Sequence, residues 1–360
     1  MIKVSKDISQ IKPYSPGKPI SELERELGIM DSIKLASNEN PLGPSKKALH
    51  AIRKALKEVG RYPDGAGFSL KDALASYYKV EQNQIVLGNG SNEIIELLIR
   101  TFVMPGDEVV IAHPSFSVYR LIVQAGHGKS VEVPLIEGVH DLQGMAKAIT
   151  KKTKLVFVCN PNNPTGTIVG KSEVDAFLSE IPKNVLVVFD EAYAEYVTDE
   201  NYPDSFSLLR KGAPIILLRT FSKIYGLAGL RIGYGISHPK IIDYLNRVRQ
   251  PFNSNLPAQV GALAALSDEG HFQDSRTMNE KGKRYLSRQF DLMGLSYFPS
   301  QANFIYFYLQ GKSSPTGAQI QDALLKQGVI IRHLGGSSLR VTIGRQHENK
   351  RFINALRCII

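Results

Sequence analysis

Residues 219–231 read Arg-Thr-Phe-Ser-Lys-Ile-Tyr-Gly-Leu-Ala-Gly-Leu-Arg, with Lys223 near the middle. The run before it, Pro214-Ile-Ile-Leu-Leu218, is a short apolar stretch of the kind that forms a buried strand. A second apolar stretch, Ile232 to Ile236, follows Arg231. Ser222, Gly226, Ala228 and Gly229 leave little side-chain bulk around the lysine. A lysine held between buried strands reaches solvent with difficulty. Burial lowers its pKa and exposes the neutral, nucleophilic amine. Such an amine forms a Schiff base with an aldehyde, and an arginine close by holds a phosphate.

An aldehyde and a phosphate on one molecule point to pyridoxal phosphate. A Ser-Lys pair alone is common, so the expectation rests on the rest of the chain. That cofactor needs an acid beside its pyridine nitrogen, hydrogen-bond donors at its phenolic oxygen, and N–H groups for its phosphate. Asp190 ends the apolar run Val185-Leu-Val-Val-Phe189, where a carboxylate needs a partner, and a structural cap is the competing use. Tyr193, three residues on, and Asn163, in the turn before Pro164, are candidate donors to the phenolic oxygen. Half-buried packing and an ordinary turn are their plainer readings. Phe116 is a candidate for stacking on the ring. Gly90, Ser91 and Asn92 follow the short strand Gln84-Ile-Val-Leu87 and open a helix, an arrangement that aims N–H groups at an anion.

Apolar runs at 84–87, 108–112, 154–159, 185–189 and 215–218 alternate with helical patterns at 69–79, 94–102 and 239–249. This predicts an α/β domain with a mostly parallel sheet between helices. In such sheets ligands gather at the carboxyl ends of strands. Asn163, Asp190, Tyr193 and Lys223 all fall just after predicted strands. From about residue 250 the pattern changes to helices at 257–267, 273–293 and 318–327 with strands at 303–309, 329–331 and 339–343, a smaller α+β unit. The charged face of 273–293 reads as solvated surface. The N-terminal residues read as an arm and a helix over Ile20–Leu27 ended by Gly28. Residues 35–44 read as a loop, and Ser45 caps a helix that extends to Val59. The expected division is an arm over 1–30, a large unit over 31–250 and a small C-terminal unit over 251–360.

The chain has 360 residues, 43% of them hydrophobic and 22% charged, which suits a globular protein with a large core. Its net charge of +10 favours anionic ligands, but the basic residues are scattered and form no nucleic-acid motif. The two cysteines, Cys159 and Cys358, have no metal-ligand spacing and make no disulfide framework. No run approaches membrane-spanning length and residues 1–10 have no signal core. A cytoplasmic enzyme without metal, nucleic-acid partner or membrane is the expectation.

The segments Pro13-Tyr-Ser-Pro-Gly17, Ser37-Asn-Glu-Asn-Pro-Leu-Gly-Pro44, Tyr62-Pro-Asp64, Gly88-Asn-Gly-Ser-Asn-Glu93, Asn160–Gly166, Asp190-Glu-Ala-Tyr193, the Lys223 stretch and Leu339-Arg-Val-Thr-Ile-Gly344 run nearly the whole length. Together they resemble fold type I pyridoxal-phosphate-dependent aminotransferases of class II, and within them the branch acting on histidinol phosphate. The resemblance implies a seven-stranded sheet in the large domain and transfer of an amino group from histidinol phosphate to 2-oxoglutarate, in histidine biosynthesis. A broad aromatic aminotransferase and a threonine-phosphate decarboxylase-like enzyme use the same scaffold. The resemblance assigns Lys223 to the Schiff base, Asp190 to the pyridine nitrogen, and Asn163 and Tyr193 to the phenolic oxygen. It places Ser91, Asn92, Ser222 and Arg231 on the phosphate. It implies a homodimer in which Tyr62 reaches the phosphate from the other subunit. Arg340 corresponds to the arginine that binds the glutamate carboxylate, and Tyr14, Asn38 and Arg332 to residues lining the substrate side. Phe116 stands where many relatives carry tyrosine and Asn92 where aspartate is common. Arg332 and Arg340 are separated by a short segment.

Overall fold

Among the described residues there are thirteen strands: β1 (Ile33–Lys34), β2 (Ile85–Gly88), β3 (Glu108–His113), β4 (Lys129–Pro134), β5 (Thr153–Cys159), β6 (Leu186–Asp190), β7 (Ile215–Thr220), β8 (Gly233–Ser237), β9 (Ser296–Tyr297), β10 (Phe304–Tyr308), β11 (Val329–Ile330), β12 (Arg332–Gly335) and β13 (Ser338–Thr342). The computed structural model describes residues 2–14, 17–309 and 315–360. Ser15 and Pro16 of the arm motif therefore lie outside the described residues.

Seven strands form one sheet in the order β2-β8-β7-β6-β5-β3-β4. The pairs among β4, β3, β5, β6 and β7 are parallel, whereas β8 runs antiparallel to both β7 and β2. Hence only β8 runs against the others. The sheet is covered on both faces, which is why its strands are continuous apolar runs and not alternating ones. On β6, Val187 and Phe189 enter one core while Leu186 and Val188 enter the other. The edge strand β4, Lys-Ser-Val-Glu-Val-Pro, is half-exposed and alternates poorly, so the apolar-run criterion passes over it.

A separate core forms around the antiparallel sheet β12-β13-β10-β9, with Phe307, Leu339, Val341 and Phe352 buried in it. β1, just before the loop the sequence predicts at 35–44, pairs in parallel with β11. The segment after β1 thus passes between the two cores. The helix Leu256–Leu266 packs on Lys46–Ala55 beside the large sheet. The helix Glu269–Leu292 then carries the chain to the second sheet. That long helix is charged over much of its surface, but Ser275, Asn279, Gly282, Leu286 and Phe290 are buried along one side. The expected solvated face is therefore only part of its circumference.

Local signals set the ends of elements. Ser45 accepts a hydrogen bond from Ala48 N and caps its helix, which continues as a 3-10 turn over Leu56–Glu58. Gly28, at φ +64°, ends the helix Ile20–Leu27. The helix after β3 begins only at Val118, because Pro114–Ser117 forms a loop over the carboxyl end of the sheet.

Candidate active site

The carboxyl ends of β3, β5, β6 and β7 face a cavity of about 770 Å³, closed on the other side by the arm and by β12 and β13. Ser91, Asn92, Phe116, Asn163, Asp190, Tyr193, Ser222, Lys223, Arg231, Tyr14, Asn38, Arg332 and Arg340 all line it. Thus residues spread over most of the sequence meet in one crevice, as the strand-end rule expects.

Asp190 is the last residue of β6 and is buried. Tyr119 donates to its Oδ2 at 2.6 Å and the Ala192 N–H to its Oδ1 at 3.2 Å. Burial raises the Asp190 pKa, only partly offset by these hydrogen bonds. Among the described residues it has no salt bridge. A buried carboxylate in this setting gains from a cation placed against it. Nothing local in the sequence marks Tyr119 for this role beyond its place three residues after Phe116. The two rings meet edge to face at 5.4 Å.

Lys223 stands in the turn after β7, and its Nζ donates to the Ser37 carbonyl at 3.3 Å. Its Nζ also lies 5.5 Å from the centre of the Tyr193 ring. Burial, then the positive charge of Arg340, lowers its pKa to about 8. The neutral amine is therefore accessible near neutral pH.

Arg231 sits at φ +58°, just before β8. Its Nη1 donates to Ser222 Oγ at 3.3 Å and to the Ala228 carbonyl at 3.1 Å. The helix Ser91–Phe102 starts beside it with Gly90 as its cap residue and no side-chain cap. Gly90 has φ +79°, and a Cβ there would collide with the Arg231 guanidinium. A Cβ on Gly233 would strike Ser91 N. Both glycines let a cation and an uncapped helix start approach one spot, which is an anion cradle.

Opposite Asp190, the Arg340 Nη1 donates to Asn163 Oδ1 and its Nη2 to the Ala36 carbonyl at 2.8 Å. Arg340 Nε is buried without a partner among the described residues. Arg332 is the cross-strand neighbour of Arg340 in the β12–β13 hairpin. The short segment between them is therefore a tight hairpin that points both toward the cavity. The Arg332 guanidinium lies 5.7 Å over the Tyr14 ring. Tyr193 is buried, and its hydroxyl accepts from Asn38 Nδ2 at 2.9 Å. Loops on either side are pinned by Asn162, whose Oδ1 accepts from Ser115 Oγ at 2.8 Å and whose Nδ2 donates to Thr165 Oγ1 at 2.9 Å.

Two predicted site residues do not line the cavity: Gly90, which only caps the helix that opens there, and Tyr62. Tyr62 is 82% exposed and stacks on Phe252 at 4.7 Å.

The cavity thus offers an anion cradle at one end, a carboxylate suited to a cation at the other, and an amine of lowered pKa between them. These residues fit a flat cofactor carrying a phosphate, an aldehyde and a basic ring nitrogen. The family model described as aminotransferase class I and II matches residues 30–356. This chain belongs to the class I and II aminotransferases.

Similarity to other members of the family extends over the whole chain. The histidinol-phosphate aminotransferase of Moorella thermoacetica is 53% identical over 363 aligned residues, covering 99% of this chain and 93% of that protein. Histidinol-phosphate aminotransferase 1 of Nitrosococcus oceani is 47% identical, covering 98% and 95%. The crystal structure of histidinol-phosphate aminotransferase from Sinorhizobium meliloti, in complex with pyridoxal-5'-phosphate, superposes with a TM-score of 0.91 at 28% identity, covering 100% of this chain and 99% of that one. The aspartate aminotransferase of Thermus thermophilus with maleate shares the fold, at a TM-score of 0.85 and 21% identity over 100% of both chains. The fold is that of the fold type I aminotransferases, with a mostly parallel seven-stranded sheet and a separate antiparallel one.

Proposed function

We propose that the protein transfers the amino group of histidinol phosphate to 2-oxoglutarate, giving imidazole acetol phosphate and glutamate, with pyridoxal 5'-phosphate as cofactor. The observation that carries this reading is the meeting of Lys223, Asp190, Arg231 and the helix start at Ser91 in one cavity that also holds Arg340. The substrate follows from full-length identity to proteins named for it.

When bound, the cofactor supplies an aldehyde that takes up an amino group and a ring that accepts electrons from the adjacent carbon. The chain's residues do the rest. Ser91, Asn92, Ser222 and Arg231 would hold the phosphate. Asp190 would take the ring nitrogen and keep it protonated, its carboxylate's direction fixed by Tyr119 and the Ala192 N–H. Asn163 and Tyr193 would serve the phenolic oxygen, and Phe116 would cover the ring. Lys223, once its amine is released, takes the proton from the substrate's α-carbon and returns it one position away, as general base and then acid. Its lowered pKa keeps both forms accessible near neutral pH. The amino group and proton move between the two substrates with no net oxidant. Arg340 binds the carboxylate of the oxo acid, and Arg332, Tyr14 and Asn38 line the side that receives the phosphorylated substrate.

The working unit on this reading is a homodimer in which Tyr62 reaches the partner's cofactor phosphate. Leu56, Val59, Tyr62, Phe68 and Phe252 are all exposed on this chain, an apolar set that a second copy would cover. The chain divides into an arm (1–30), a cofactor unit (31–250) and a small unit (251–360), with Leu256–Leu266 laid back on the cofactor unit. Free cysteines at 159 and 358 suit a reducing cytoplasm. Among the described residues no helix is long and apolar enough to cross a membrane.

The deciding test is a panel of amino donors with 2-oxoglutarate: histidinol phosphate beside phenylalanine, tyrosine and aspartate. Histidinol phosphate should give the highest kcat/KM. Equal turnover of the aromatic amino acids would favour a broad aromatic aminotransferase. Carbon dioxide released from phosphothreonine would favour a decarboxylase.

A further inference from the structure

Asn38 looks, from its place on the cavity wall, like a substrate contact. Its side chain is already committed elsewhere. Asn38 is 1% exposed and sits at φ +55°, in the left-handed region. Its Nδ2 donates to the Tyr193 hydroxyl at 2.9 Å. Its Oδ1 accepts from Thr342 Oγ1 at 3.1 Å, and its backbone N–H donates to that same Oγ1 at 2.9 Å. Its carbonyl accepts from Asn303 Nδ2 at 3.0 Å. Thr342 ends β13 and Asn303 precedes β10, so the small sheet grips Asn38 from one side while Asn38 grips Tyr193 on the other.

We propose that Asn38 is a positioning residue for Tyr193: its amide occupies a lone pair of the hydroxyl and turns the hydroxyl's own proton into the cavity, toward the cofactor's phenolic oxygen. A phenol has one proton to donate. Once Asn38 fills an acceptor position, that proton must find its acceptor elsewhere, and no protein acceptor for it is found among the described residues. The amide's orientation follows from the network. In the reverse orientation both the backbone and side-chain N–H groups of Asn38 would point at Thr342 Oγ1, whose own proton would lose its acceptor. Accepting one hydrogen bond also strengthens the donation of the next. The charges around the hydroxyl are Arg340, which lies over the neighbouring Phe304 ring at 5.1 Å, Lys223 at 5.5 Å from the Tyr193 ring, and the Asp190 carboxyl, which lines the same cavity. Asn38 adds none, so it steers by direction and not by charge. The grip by Thr342 further makes the steering depend on the small sheet being seated.

The inference rests on the cofactor reading above, and one titration separates the two. The apoenzyme is loaded with pyridoxal 5'-phosphate and its visible absorption followed against pH. A donor at the phenolic oxygen favours the form in which that oxygen keeps its full negative charge. Losing it therefore raises the midpoint. Asn38→Gly, chosen because glycine tolerates the positive φ, should raise the midpoint by about one pH unit, a tenfold change in proton affinity. Thr342→Val, which removes both the donor to Asn38 Oδ1 and the acceptor of the Asn38 backbone N–H and so frees the amide to turn over, should move it the same way by less. In a Tyr193→Phe background Asn38→Gly should add nothing. An unchanged midpoint in both single variants, or an equal shift with Tyr193 absent, overturns the inference. A wild-type protein that shows no visible band with the cofactor overturns the functional reading instead.

Discussion

Arg340, on β13 of the small sheet, holds Asn163, in the loop after β5 of the large one, through Nη1 and Oδ1. Its second amino group binds the Ala36 carbonyl at 2.8 Å. A carboxylate entering the cavity therefore meets a guanidinium already oriented by both halves of the molecule.

Lysine at this position keeps the charge and loses the fork. Hydrogen bonds to charged groups contribute about 1.5–3 kcal/mol, so Arg340→Lys should lower kcat/KM for 2-oxoglutarate about ten- to hundredfold. Most of the loss should lie in KM, because the contact is made in ground and transition states alike. Steady-state kinetics with the oxo acid varied decide it. An unchanged KM would remove Arg340 from carboxylate binding.

The Lys223 amine titrates at about 8, below its ordinary 10.5, because burial and nearby Arg340 disfavour its charge. Capture of added cofactor by the apoenzyme needs the neutral amine. Its rate should rise about tenfold per pH unit below 8 and level off above. The same shift has a sign for stability. Between pH 8 and 10.5 the folded chain binds fewer protons than the unfolded one, so stability from this group rises with pH across that window. Lys223→Met apoenzyme should accordingly be more stable than wild type at pH 7, with the gap shrinking toward pH 10. A capture rate flat from pH 6 to 9 would contradict the assignment.

Much of this site can be read in the chain because its parts end buried strands. Asp190 and Lys223 stand out against apolar runs, and those runs are continuous because both sheet faces are covered. What escapes is what depends on contacts distant in sequence. Tyr119 lies 71 residues from Asp190, and no local pattern marks their hydrogen bond. Asn38 sits in a stretch whose composition says only loop, and its bonds to Tyr193 and Thr342 exist because two cores close around it. The strand β4 and the hairpin partner β12 are half-exposed and polar, so hydrophobic runs do not report them.

Behind Asp190, on the next residue, Glu191 shares Arg219 with Glu195 at 2.6 and 3.1 Å. All three side chains are enclosed, and the guanidinium lies 5.6–5.9 Å over the rings of Phe206 and Tyr78. One cation serves two carboxylates, and burial raises the Glu195 pKa. Removing the cation leaves both acids uncompensated. Arg219→Met should cost about 3–5 kcal/mol, read as a lower urea midpoint. Glu195→Gln should cost far less, since it removes the surplus charge. Equal midpoints for wild type and Arg219→Met would show that the trio does not hold the Asp190 strand in place.

Tyr62 is exposed, stacks on Phe252 at 4.7 Å and does not line the cavity of its own chain. If it completes the partner's phosphate site, mixed dimers give a specific signature. Lys223→Ala and Tyr62→Ala homodimers should each be impaired, the first without visible absorption from bound cofactor. A mixed dimer of the two has one site damaged twice and one site intact, because the Tyr62→Ala chain contributes Lys223 while the Lys223→Ala chain contributes Tyr62. Co-expression with two affinity tags isolates that species. It should recover close to half the activity of a wild-type dimer, with a cofactor stoichiometry of about one per dimer, as two half-sites from different chains require. If Tyr62 acts within its own subunit or not at all, the mixed dimer shows no more than the average of its two parents.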